Sequence, residues 1–186
     1  MNKTIREIAT ITSGIYTKPG FDGEVYYLQA SHFNKQHQFD FTVKPNLILT
    51  DSIRKHLLKC GDIIVAAKGT DNFAVVCKGK LEYSVASTIF MVVKIFEPEK
   101  VLPEYLAWFI NHPHTQQHLQ NSSKGSSFPS ITKNDIEEII FPIPSIIKQR
   151  YIINIDELFK KQLQIKKRIL TLKEKLFQQQ LLNSLK

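Results

Sequence analysis

The 186-residue sequence predicts an α+β fold: a globular domain over residues 1–144 and a long coiled-coil helix over 145–186. The globular part is expected to hold a twisted, mostly antiparallel sheet with short helices. Three observations predict this. Apolar runs bounded by turn residues recur at 63–67, 73–77 and 89–96. Helix-start chemistry interrupts them at Pro103 and at Thr132 with Asp135. Past Ser145, apolar residues return at alternating steps of four and three, the mark of a heptad seam.

The elements follow in order along the chain. Residues 4–11 alternate loosely and predict a short helix, broken at Thr12-Ser13-Gly14. Val25-Tyr26-Tyr27-Leu28 predicts a strand, then an aromatic-laced polar loop, Ser31-His32-Phe33-Asn34-Lys35. Asp51 or Ser52 caps a short helix through Leu58, stopped by Cys60-Gly61-Asp62. The run 63–67 predicts a buried strand, Lys68-Gly69-Thr70-Asp71-Asn72 a turn, and 73–77 the returning strand. Lys78-Gly79-Lys80 turns again. The run 89–96 is rich in β-branched and aromatic residues and is the strongest strand signal. Pro103 opens a helix through Trp108 and Ile110, extending toward Leu119. Residues 121–127 read as a loop, and Thr132 with Asp135 as a capping box for another short helix. Ile139-Ile140-Phe141 is the last strand, closed by Pro142 and Pro144, and Ser145 caps the long helix.

That helix carries its seam on Tyr151, Ile155, Leu158, Gln162, Ile165, Ile169, Leu172 and Leu176, with Gln162 the single polar member. About 35 helical residues span roughly 52 Å, too long to fold back into a small domain, so a partner helix is expected. Gln162 either selects register and orientation or marks a solvated part of the rod.

Composition narrows the function. Hydrophobic residues make up 42% of the chain, enough for one core. Cys60 and Cys77 form no CxxC pair, as fits a reducing cytosol. No apolar run approaches membrane-spanning length and no signal-peptide core opens the sequence, so a cytoplasmic protein without a membrane partner is expected. The net charge of +8 is uneven: 15 Lys and Arg face 14 Asp and Glu over residues 1–145, against 10 and 3 over 146–186. The globular part is therefore nearly neutral, and the basic character lies on the rod.

Several chemistries are absent. There is no dinucleotide or Walker phosphate loop, no Asn-Pro-Pro-Tyr-like tetrapeptide and no Asp or Glu two residues before a Lys. No nucleophile-elbow pattern occurs. No cofactor, metal or catalytic residue is expected. His112, His114 and His118 invite a zinc reading, but a surface bend and an exposed helix face explain them better. Three loops place small polar and cationic residues suited to phosphates and base edges, although many surface loops share that composition. The candidate DNA contacts are Lys18, Ser31, His32, Asn34, Lys35, Lys68, Thr70, Asn72, Lys124, Ser126 and Ser127.

Several phrases in order resemble the DNA-specificity (S) subunit of type I restriction–modification systems. They are Ile5-Arg6-Glu7-Ile8-Ala9 with Ser13-Gly14, then Leu58-Lys59-Cys60-Gly61-Asp62-Ile63-Ile64 with Lys68-Gly69. Leu102-Pro103-Glu104-Tyr105-Leu106 follows, then Gly125-Ser126, Ile131, Ile136 and Phe141-Pro142-Ile143-Pro144, and finally Gln149 with Ile152. The resemblance covers essentially the whole chain. It implies a target-recognition domain reading a half-site in duplex DNA and a spacer helix on which methyltransferase (modification) subunits dock. The restriction subunit would join through the complex, with methylation and cleavage in the partners. The usual subunit carries two recognition domains and two antiparallel helices, whereas one of each is visible here. The resemblance therefore implies an antiparallel homodimer reading a bipartite site. The alternatives are a non-reading assembly fragment or recombination cassette that pairs with a full-length S subunit, and a methyltransferase fragment.

Overall fold

The computed structural model of the chain describes residues 2–20, 22–69, 72–122 and 130–185, the side chains of Lys80 and Ser122 excepted. Internal contacts divide the chain into two units, Met1–Ile146 and Ile147–Lys186.

The first unit is built on a four-stranded antiparallel sheet. Its strands are β2 (Ala9–Ser13), β4 (Ile63–Ala66), β5 (Ala74–Val76) and β7 (Phe90–Ile95), in the order β2-β7-β4-β5. All four residues of β4 are buried, which explains why its sequence is continuously apolar rather than alternating. Its register sets Ile64 beside Val92 on one side and Val75 on the other. The turn entering β4 depends on Gly61, whose φ of +88° suits glycine. Asp62 beside it is buried, accepts a hydrogen bond from the Lys59 N–H at 2.9 Å and pairs with Lys94 Nζ at 3.5 Å.

Two smaller pairings complete the unit. β1 (Asn2–Thr4) runs antiparallel to β8 (Ile140–Pro142), and β3 (Tyr26–Leu28) runs parallel to β6 (Ser84–Ala86). Short helices flank the strands: α1 (Asp51–Arg54), α2 (Pro103–Asn111), α3 (Pro113–Ser122) and α4 (Lys133–Glu137). The second unit is formed almost wholly by α5 (Ile146–Asn183), which at 38 residues is about 57 Å long. No described helix is long and apolar enough to cross a membrane. The mixed α+β class, the antiparallel central sheet and the long C-terminal helix are as expected.

Several local expectations are corrected. Residues 4–11 are not a helix but β1, one 3-10 turn (Ile5–Glu7) and β2. The Glu7 carboxylate accepts from the Thr4 N–H at 2.7 Å and closes that single turn. The alternation of buried Ala9 and Ile11 with exposed Thr10 and Thr12 is a strand's period of two. The helix expected through Leu58 ends at Arg54 and is capped by Thr50, because Leu58 is buried and its N–H bonds the Ser84 carbonyl. The helix expected from Pro103 toward Leu119 splits at His112, whose ψ of 136° is the extended conformation that a following proline favours. Lys78-Gly79-Lys80 leads into a 3-10 helix (Gly79–Tyr83), and β6 after it carried no sequence signal. Asn121 and Ser122 close α3, while residues 123–127 of the expected loop lie outside the described residues. Thr132 and Asp135 do form the predicted capping box, each bonding the other's backbone N–H.

Candidate nucleic-acid interface

Three chain stretches meet at one end of the parallel pair formed by β3 and β6. Past Ser13, the chain runs on through Gly14 and Ile15, whose N–H groups bond the Phe90 and Ala86 carbonyls at 2.9 Å each. A Cβ on residue 14 would lie 2.2 Å from the Ser87 carbonyl oxygen, so glycine permits this approach. The Ser87 N–H bonds the Leu28 carbonyl at 3.2 Å, tying in the second stretch. The Tyr27 hydroxyl donates to the Ile15 carbonyl at 2.9 Å and accepts from the Thr17 N–H at 3.4 Å.

The result is a cleft of about 450 Å³ lined by residues 16–19, 27, 29–31 and 87–89. Its hydrogen-bonding side chains come from Tyr16, Thr17, Gln29, Ser31 and Thr88, its one cation from Lys18, and no carboxylate lines it. Tyr16 is 84% exposed. Among the described residues, the Ser87 hydroxyl is a buried group without a hydrogen-bond partner, and it lies against the same cleft. Of the predicted contacts, Lys18 and Ser31 are thus brought together. The lining by Tyr16, Thr17, Gln29, Ser87 and Thr88 carried no sequence signal beyond the hydroxyls at 87 and 88.

A second hollow, of about 640 Å³, adjoins at Ser31 and is lined by Phe33, Asn34, Gln38, Phe39, Asp40 and Phe41. Asn34 braces it: its carboxamide oxygen accepts from the Gln36 and Gln38 N–H groups at 2.9 and 3.0 Å. His32 Nδ1 accepts from the Gln29 N–H at 3.3 Å. Burial lowers the His32 pKa from its ordinary value, against an opposing pull from Asp40. Lys35 is exposed beside them.

The loop after β3 packs against the residue that follows the second predicted loop. His37 stacks on Phe73, ring centroids 4.4 Å apart, and Phe33 packs on Phe73 and Phe90 at 5.3 and 5.7 Å. This seats the loop after β3 on the β4–β5 connection. Lys68 is exposed and forms a bridge with Ser130, where the chain returns from the third loop. Asn72 is buried and its amide donates to the Ala66 carbonyl at 3.0 Å, so it holds the connection in shape rather than facing outward. Thr70, Lys124, Ser126 and Ser127 lie outside the described residues.

His112 accepts a hydrogen bond from the His114 N–H and packs edge-on to Trp108. Among the described residues no group of three His, Cys, Asp or Glu is placed to hold a metal ion. On α5, seven of the seam residues, Tyr151, Ile155, Leu158, Ile165, Ile169, Leu172 and Leu176, are 48% to 67% exposed, and Gln162 is exposed with them.

Known proteins share this fold. A family model described as the type I restriction modification DNA specificity domain matches residues 1–174. The fold is similar to that of a type I restriction–modification system S subunit from M. genitalium, with TM-score 0.61 and 15% identity over 88% of this chain and 40% of that one. It is also similar to the HsdS subunit from Thermoanaerobacter tengcongensis, with TM-score 0.60 and 14% identity over 90% of this chain and 39% of that one. A third match, at TM-score 0.61 and 15% identity, belongs to a structure of type I system assembly and conformational transition, covering 90% of this chain and 40% of its counterpart. The chain thus spans about 40% of the length of the structures it matches. No curated protein matches it in sequence.

Proposed function

Because this chain belongs to the type I restriction–modification DNA specificity domain family, we propose that it reads duplex DNA and gives a methyltransferase complex its target. Residues 1–144 act as the reader and 145–186 as the spacer. Methylation and cleavage belong to partner subunits that dock on the assembly, in the cytoplasm. The observation that carries this reading is the cleft shared by Lys18 and Ser31. It offers one cation, several hydroxyls and an amide without a carboxylate, a composition suited to a phosphate flanked by base edges. Lys35 and Lys68 stand exposed on the neighbouring loops. We retain Lys18, Ser31, His32, Lys35 and Lys68 as contacts, and assign Asn34 and Asn72 a bracing role.

The spacer pairs with a second copy, and its charges favour the antiparallel orientation. In a parallel pair, Lys161 would flank Lys166 and Arg168 would flank Lys173, each twice, giving four like-charge contacts. An antiparallel pair centred between Gln162 and Ile165 leaves two, Lys161 against Arg168, and sets Phe159 against Lys166. A second exposed apolar row, Phe159, Leu163 and Leu170, runs beside the seam and suits a docking methyltransferase subunit.

Selection from a random duplex DNA pool, using the chain with its methyltransferase subunit, tests the proposal. Two inverted half-sites at fixed spacing are expected. A single half-site would remove the homodimer, and no enrichment by an intact complex would remove DNA reading.

A further inference from the structure

We propose that a cationic groove, running from the reading cleft to the end of α1, holds the phosphate backbone of duplex DNA beyond the bases being read. This deepens the DNA-reading proposal above and rests on it. The groove is formed by two hollows, of about 270 and 550 Å³, that share Lys55, Leu58 and Lys94. The smaller one reaches Ile15 and Ala86, and the next residues, Tyr16 and Ser87, line the cleft itself. Together the two hollows are lined by four cations, Arg54, Lys55, Lys59 and Lys94, against one carboxylate, Glu82. Residues 1–145 carry 15 Lys and Arg against 14 Asp and Glu, so this concentration is local.

The acidic groups on these elements leave two of the cations over. The buried Asp62 lies 3.5 Å from Lys94 Nζ and accepts from the Lys59 N–H at 2.9 Å. Glu82 accepts from the Gly79 N–H at 3.1 Å, and Asp51 lies 4.0 Å from the exposed Arg54. Lys55 and Lys59 are exposed and pair with no carboxylate among the described residues. Leu58 between them is buried and its N–H bonds the Ser84 carbonyl at 2.9 Å, so both side chains leave a fixed stretch of chain. That lowers the ordering cost of binding. The exposed hydroxyls of Thr12, Ser13 and Tyr83 line the same groove and suit phosphate oxygens. The apolar floor, Leu58, Val85 and Val92, is buried and gives a protein partner little to anchor on. Lys94 lies four residues along β7 from Phe90, whose carbonyl accepts the Gly14 N–H beside the cleft. The groove therefore extends about 13 Å from the cleft, a length of about four base pairs.

Lys55→Ala with Lys59→Ala, made in the full chain and assayed with its methyltransferase subunit, tests this on a duplex carrying the selected site. The slope of log affinity against log salt should fall by about 1.8 for each copy bound, with the base preference unchanged. Both residues are exposed, so the fold should be kept, which circular dichroism checks. Trimming the duplex to within about two base pairs of the bases read should cost the parent chain more affinity than the double variant. Equal losses on trimming would place the two lysines off the flanking DNA and overturn the inference. A double variant that keeps the parent's salt slope, while Lys18→Ala lowers it, would overturn the groove and leave DNA reading standing. Loss of methyltransferase assembly at an unchanged slope would assign the cations to that protein and overturn it as well. A parent chain that binds no duplex in an intact complex would remove the reading and this inference together.

Discussion

Lys18 and Ser31 share the cleft, but they should fail differently when replaced. Lys18→Ala removes a cation suited to phosphate, so DNA affinity should fall similarly on all sequences and the salt slope should drop by about 1. Ser31→Ala should instead relax preference at one base pair, visible in a repeated site selection. His32 contributes a pH dependence whose sign follows from its burial. Its folded pKa lies below the ordinary 6.5, so the unfolded chain takes up the proton first. This contribution is complete above about pH 7 and is lost as pH falls through 6.5 toward the folded pKa, with Asp40 softening the effect. His32→Gln should therefore flatten the change in denaturant midpoint between pH 7 and 5. In the core, Phe90 is fully buried, and Phe90→Ala should cost about 3–5 kcal/mol in a denaturant titration.

Among the elements, α5 draws little stability from the surfaces described, because its seam residues are exposed along their length. A long helix with an uncovered apolar stripe is stabilised chiefly by the partner that covers it. Leu158→Asp with Ile169→Asp should convert the dimer to a monomer by light scattering while the first unit keeps its strand signal in circular dichroism. Gln162→Leu should tighten the dimer and weaken its choice of orientation, since the polar residue near the centre is then lost. The legibility of the strands differed for physical reasons. β4 was readable because burial on both faces makes a strand uniformly apolar, and β7 because its six residues, buried or half-buried, are rich in β-branched and aromatic side chains. β2 was misread because Ile5, Ile8 and Ile11 stand three apart, a helical spacing, while pairing with β7 decides the outcome. β6, at three residues, was too short to leave a pattern.

For the whole molecule, the proposed homodimer would place two readers on one rod and make the distance between half-sites a property of helix length. Deleting residues 166–172, one heptad, preserves the seam and removes about 10.5 Å. The selected half-sites should move closer by about 3 base pairs, at roughly 3.4 Å each, with the half-sites themselves unchanged. An unchanged spacing would mean that the rod does not set it. Local periodicity and caps decided the α+β class, the long helix with its seam, the capping box at Thr132 and, through the order of its phrases, the family. All but the last depend on residues within a few turns of one another, and the family on the order of short phrases along the whole chain. The tertiary structure alone decided the cleft, because residues near positions 16, 30 and 88 meet only through the parallel pairing of β3 with β6 and the close passage of Gly14. It also decided that Asn72 turns inward, since whether an amide faces solvent or a backbone carbonyl depends on how the chain around it is packed.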